Sequence, residues 1–203
     1  METDFPAPWT EGCDAPVFEE ARRAYGSPGR HYHTWEHVLD CAAKLRDFPC
    51  GNPRAVFLAL LFHDAFYVAG DTQNERHSAD LARKVLGAHS RVPAEEVAEI
   101  ERFILATCTH VVPPDERSAD LRAVIDIDMS ILGSDEEKYR RYAARVRSEW
   151  CPSVVDGEGF RKGRAAFLRG VLASPRIYST QEGGRRWEAA ARANITRELS
   201  ELG

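Results

Sequence analysis

Residues 55–62 of this 203-residue chain read AVFLALLF, and the next two positions are His63 and Asp64. A helix apolar on every side has no solvent face, so other elements must surround it and it must run through the centre of the fold. Eight apolar residues fall far short of the ~18 needed to cross a bilayer. Asn52-Pro53 ahead of the run supplies an N-cap followed by proline in the first turn, so the spacing predicts a helix ending at the histidine–aspartate pair. The central element thus delivers an imidazole and a carboxylate to the interior.

Periodicity near 3.6 recurs along the rest of the chain, and period-2 alternation does not. Thr72-x-x-Glu75 and Ser134-x-x-Glu137 have capping-box spacing, Pro93 starts a helix that Pro113-Pro114 stops, and Gly133 ends the stretch before Ser134. Tyr139, Tyr142, Val146 and Trp150 form one stripe, and two final helices cover 156–173 and 183–202. No linker or repeat divides the chain. The expectation is one all-α domain spanning 1–203, a globular bundle of roughly eight or nine helices.

Hydrophobic residues at 43% and charged residues at 29% exclude the disordered and membrane classes. The acidic, proline-broken start METDFPAPW has no signal-peptide pattern, which predicts a cytoplasmic protein. Five cysteines without a Cys-x-x-Cys pair fit reduced thiols, with Cys41 at a helix-core spacing. The basic residues gather late: 138–203 carries 14 Lys and Arg against 7 Asp and Glu, within a chain of net charge −5. Arginines of YRRYAARVR read as a solvated face beside an aromatic stripe, so nucleic-acid binding is disfavoured.

Helix angles then sort the polar residues. In LRAVIDIDMSILG, Asp128 lies within the stripe of Leu121, Val124, Ile125, Ile131 and Leu132, whereas Asp126 lies almost opposite and reads as solvated. In YHTWEHVLDCAAKLRDF, His37 sits at the edge of the stripe of Val38, Cys41, Leu45 and Phe48; His33 lies outside the helix. Each of these groups has an ordinary explanation taken alone. Asp128 can cap a helix or pair with an arginine, His37 can be a satisfied core residue, and His63 can face the helix dipole beside an Asp64 cap. Taken together, two imidazoles and two carboxylates suit a divalent ion such as Mn, Fe, Co, Ni or Zn, with coordination positions left open.

His37, then His63-Asp64, then Asp128, within RHYHTWEHV, FHDAFY, NERHSA, ATCTH and DIDMSILG, resembles the HD superfamily of metal-dependent phosphohydrolases. The similarity continues through RSEW, GRAAFL and PRIYST to ARANITREL, close to a bacterial subfamily of predicted phosphohydrolases. The resemblance implies an all-helical HD-type fold in which His37, His63, Asp64 and Asp128 hold one divalent ion (Mn, Fe, Co, Ni, Zn or Mg). It further implies hydrolysis of a small phosphorylated substrate such as a nucleotide.

Dinuclear members carry an extra histidine where this chain has Asn74, which favours a single metal. His77 falls on the opposite side from Ala79 and Leu86 and is expected outside the site. Asp64 and Glu75 are the candidates to orient or deprotonate the attacking water; Glu75 is equally explained as a capping residue. His110, Arg30 and Arg164 are the candidates for substrate phosphate, and Arg164 is alternatively a partner of Asp126 or Glu149. The rival functions are a di-iron oxygenase of the same fold and a non-catalytic, metal-stabilised ligand-sensing module.

Overall fold

The computed structural model describes residues 5–113 and 115–203, and among these it contains ten α-helices and no strand. It is an all-α bundle, organised as two compact units, Met1–Asp128 and Met129–Gly203.

The first unit contains α1 (Ala7–Thr10), α2 (Ala15–Ala24), α3 (Trp35–Leu45), α4 (Pro53–Phe62), α5 (Asn74–His89), α6 (Ala94–Ala106) and α7 (Ala119–Asp128). Helix α4 is its axis: every residue of 55–62 is buried, and α1, α3, α5, α6 and α7 all pack against it. The Asn52 Oδ1 accepts from the Ala55 amide at 3.1 Å, with Pro53 in the first turn as the sequence predicts.

Other ends differ from expectation. The capping box at Thr72 does not form. The Asp71 carboxylate accepts instead from the Gln73 amide at 2.8 Å, and α5 starts at Asn74, whose amide group bridges the Val68 amide and carbonyl and the Asp71 carbonyl. A short aspartate two residues before the helix satisfies the turn more directly than threonine can. Helix α6 ends at Ala106, well before Pro113, because the Thr107 hydroxyl takes the Ile104 carbonyl at 2.7 Å; Pro114 lies outside the described residues.

Asp126 corrects the helical-wheel reading: it is buried, at 1% exposure, together with all of 123–128. Helix α7 packs against α3, α4 and α6, and over 123–128 it has no solvent face to offer Asp126.

The second unit opens with a 3-10 turn, Met129–Gly133, followed by α8 (Glu136–Trp150), α9 (Gly157–Ala173) and α10 (Gln181–Leu202). The cap of α8 is Asp135, one residue after the expected Ser134; Asp156 and Thr180 cap α9 and α10. Gly133 is required by close approach, since a Cβ there would lie 2.5–2.8 Å from Cβ, O and Cα of Trp187. The Asn194 amide fastens α10 to the same turn through the Leu132 and Ser134 carbonyls, and the Tyr178 hydroxyl donates to the Met129 carbonyl at 3.0 Å.

Arg164 is buried in this unit, and its partner is neither Asp126 nor Glu149. Its Nε and Nη2 bond the two Glu198 oxygens at 2.9 and 3.1 Å, Nη1 donates to the Tyr142 hydroxyl, and the Tyr139 hydroxyl also donates to Glu198. The assignment of Arg164 to substrate phosphate is therefore corrected: its guanidinium is engaged in a core ion pair. All five cysteines are free thiols. No described helix is long and apolar enough to cross a membrane.

Candidate metal centre

Three stretches of the first unit meet at one point. His37 comes from the first turn of α3, His63 from the position that ends α4, and Asp128 from the last residue of α7. The Nε2 atoms of His37 and His63 lie 3.1 Å apart. Asp128 Oδ1 is 3.1 Å from the first and 3.3 Å from the second. Asp64 Oδ2 adjoins the group, 3.0 Å from His63 Nε2 and 3.7 Å from His37 Nε2.

The orientation of both rings is set from behind. His63 Nδ1 lies 2.9 Å from the Leu60 carbonyl, which can only accept, so the proton of a neutral His63 sits on Nδ1 and Nε2 carries a lone pair. His37 Nδ1 is 3.1 Å from the Tyr32 hydroxyl, leaving its Nε2 to face inward. Outer hydrogen bonds of this kind orient histidine ligands in metal sites. The two inward Nε2 atoms, 3.1 Å apart, face one another across a gap that a shared proton or a cation can fill.

The spacings suit one ion. Two ligands ~2.1 Å from an ion are ~3.0 Å apart at a right angle and ~3.4 Å apart at the tetrahedral angle. Four of the five separations fall in that interval. The buried group His37, His63 and Asp128 is able to hold a divalent ion, and the Asp64 carboxylate, 14% exposed, stands at its open side.

The remaining predicted residues divide. His110 joins the cluster: its Nε2 is 3.0 Å from Asp128 Oδ2, its side chain is 32% exposed, and it sits beyond α6 in the left-handed region at φ 53°. Strained backbone of this type concentrates at functional sites. Arg30 is corrected. Its Nη1 donates to the Asp64 carbonyl at 2.6 Å and the His33 carbonyl at 3.0 Å, and Nη2 donates to the Ala65 carbonyl at 2.8 Å. It braces the backbone of the doublet rather than meeting a phosphate.

Glu75 stands half-buried at the start of α5 with its carboxylate on the Cys108 thiol, whose pKa is raised by burial and then by that carboxylate. It therefore flanks the segment leading to His110 and is not among the clustered ligands. His33 stacks on Tyr67 with ring centroids 3.9 Å apart, and His77 is exposed against Phe66.

Sequence reasoning missed Tyr32 and Tyr25. The Tyr25 hydroxyl accepts from the Asp64 amide at 3.3 Å, and neither tyrosine belongs to the helix it serves, so no periodicity points to it.

Compared with protein-family models, with curated proteins and with solved structures, the chain matches none. The chemistry of the centre is therefore read from its own atoms.

Burial opposes a charge on His63, yet the Asp64 and Asp128 carboxylates outweigh it and hold the imidazole well above its ordinary pKa. Burial likewise works against the two carboxylates, but His63 first, then further imidazoles, hold both below the usual range. Without metal, a proton on His63 neutralises part of the cluster.

The paired carboxylates stabilise the metal-free fold above their unfolded pKa of ~4 and lose that effect as pH falls through their lower folded values. His63 contributes fully below its unfolded pKa of ~6.5, and its contribution is lost as pH rises through the raised folded pKa. The melting temperature of chelated protein should thus decline on going alkaline from about pH 6.5. Stoichiometric divalent metal should reverse that trend, because the ion replaces the proton. Calorimetric scans at several pH values check this; identical profiles with and without metal would contradict it.

Proposed function

We propose that the chain is a metal-dependent hydrolase of phosphoesters, acting on a nucleotide or a small phosphomonoester. The observation that carries this reading is the pair of inward-facing imidazole Nε2 atoms with two carboxylates beside them, one buried and one at the open side. The sequence resemblance to HD-type phosphohydrolases points the same way. A divalent ion bound there would supply a Lewis acid that activates water and polarises a phosphoryl oxygen.

The chain's own residues take the other parts. His37, His63, Asp64 and Asp128 would hold the ion through Nε2, Nε2, Oδ2 and Oδ1. Asp64, reached by solvent, orients the attacking water and accepts its proton at a carboxylate oxygen. His110, about one-third exposed and held by Asp128 at Nε2, stands beside the centre where negative charge on the transferring phosphoryl group is redistributed. Arg30 and Tyr25 hold the Asp64 backbone so that the carboxylate keeps its aim. Asn74 has its amide engaged by Val68 and Asp71, which favours one ion over a dinuclear, oxygen-activating centre.

The test is metal analysis of the purified chain followed by a phosphoester panel, run beside Asp64→Ala. About one divalent ion per chain and metal-dependent phosphate release are expected, with both lost in the variant. An active, metal-loaded Asp64→Ala protein, or two irons per chain, would sink the proposal.

A further inference from the structure

Helices α8, α9 and α10 of the second unit line a cavity of about 370 Å³ that is widely open to solvent. Its lining follows from helical spacing. Arg140, Ala143, Ala144 and Arg147 recur on one face of α8, while Asn194, Arg197, Glu198 and Glu201 recur on one face of α10. Phe160, Leu202 and the two alanines form an apolar wall, and the arginines stand at its rim.

These arginines are not equivalent. Arg140 pairs with Glu136 at 3.0 Å and with Glu201 at 3.6 Å, and Arg197 pairs with Glu136 at 3.3 Å. At the cavity floor Glu198 is neutralised by Arg164. Arg147 and Arg161 differ: among the described residues neither guanidinium has an ion-pair or hydrogen-bond partner. They also converge, because a Cβ at Gly157 would lie 3.7 Å from Arg147 Nη2 and 4.0 Å from Arg161 Nη1. Two guanidiniums without a partner therefore stand close together among the residues that line the pocket. The second unit holds 14 Lys and Arg against 10 Asp and Glu, so its field favours an anion at that point.

We infer that this cavity is a binding site for a small organic anion, a phosphate or carboxylate joined to an apolar body. The planar guanidinium matches phosphate or carboxylate oxygens, and the volume falls in the range of small-molecule sites. An inorganic ion would touch the arginines and leave the apolar wall wet. The site is built wholly from the second unit and uses no residue of the metal centre, so it stands or falls independently of the hydrolase reading.

The experiment is calorimetric titration of the full chain, with metal removed by chelator, using phenylphosphonate, benzoate and inorganic phosphate as probes. Saturable binding of phenylphosphonate or benzoate is expected, and whichever binds tighter identifies the acid group. Inorganic phosphate should bind more weakly than phenylphosphonate. Arg147→Gln/Arg161→Gln should weaken binding by about tenfold or more, while Asp128→Asn should leave it unchanged. The inference is overturned if neither organic probe binds, if the double variant binds as tightly as the parent, if inorganic phosphate does as well as phenylphosphonate, or if Asp128→Asn abolishes binding.

Discussion

On the proposed function, Asp128→Asn should abolish metal retention and reduce the proposed phosphoester hydrolysis by about a thousandfold or more, the scale on which charged active-site groups act. The substitution preserves shape, so the loss isolates charge. In the parent, Asp128 meets three imidazoles, His37 and His63 through Oδ1 and His110 through Oδ2. An asparagine amide cannot neutralise a divalent ion. Its NH2 group, if turned toward the imidazoles, opposes the lone pairs that ligation needs.

A second readout separates a ligand from a merely structural residue. With the Asp128 charge gone, burial weighs more heavily on His63, and its pKa should fall from the raised position that Asp64 and Asp128 together sustain. Proton NMR of the chelated variant measures that shift directly. A variant that keeps about one ion per chain would remove Asp128 from the ligand set.

Glu198→Ala should cost the second unit about 3–5 kcal/mol, because it strands the Arg164 guanidinium, whose side chain is 5% exposed, without its countercharge. For a chain of this size each kcal/mol lowers the melting temperature by about 2–4 °C, so a fall of about 6–20 °C is expected. Arg164→Met should be comparably harmful, since it buries the Glu198 carboxylate among tyrosine hydroxyls with no cation. The double variant Arg164→Met/Glu198→Met should recover most of the loss, because an apolar pair needs no compensation. If the single-variant losses simply added in the double, the two groups would not be acting as a pair.

The core of α4 and the identity of its polar end were legible in sequence. Eight consecutive apolar residues leave no alternative to central burial, and a histidine at the end of such a helix must find a partner. Asp128 was legible for a similar reason, since it interrupts an apolar stripe. Asp126 was not. A helical wheel assumes one dry face along a whole helix, whereas α7, open to solvent at Ala119, is buried all round from 123 to 128, where α3, α4 and α6 pack against it. Arg164 and Arg30 were recognised as unusual cations, but their partners lie 34 or 35 residues away in sequence, beyond any local pattern.

Local physics, written in the order of residues, thus determined the helical class, the central element and the residue types that a cation would want, because periodicity and capping act over a few positions. Tertiary structure alone decided which ring nitrogens and carboxylate oxygens face one another and how far apart. It also decided that Arg30 braces a backbone, that Arg164 closes a core ion pair and that Arg147 meets Arg161 beside Gly157. Those outcomes depend on how distant helices pack, and packing distances of a few tenths of an ångström separate a ligand set from a cluster of unrelated side chains.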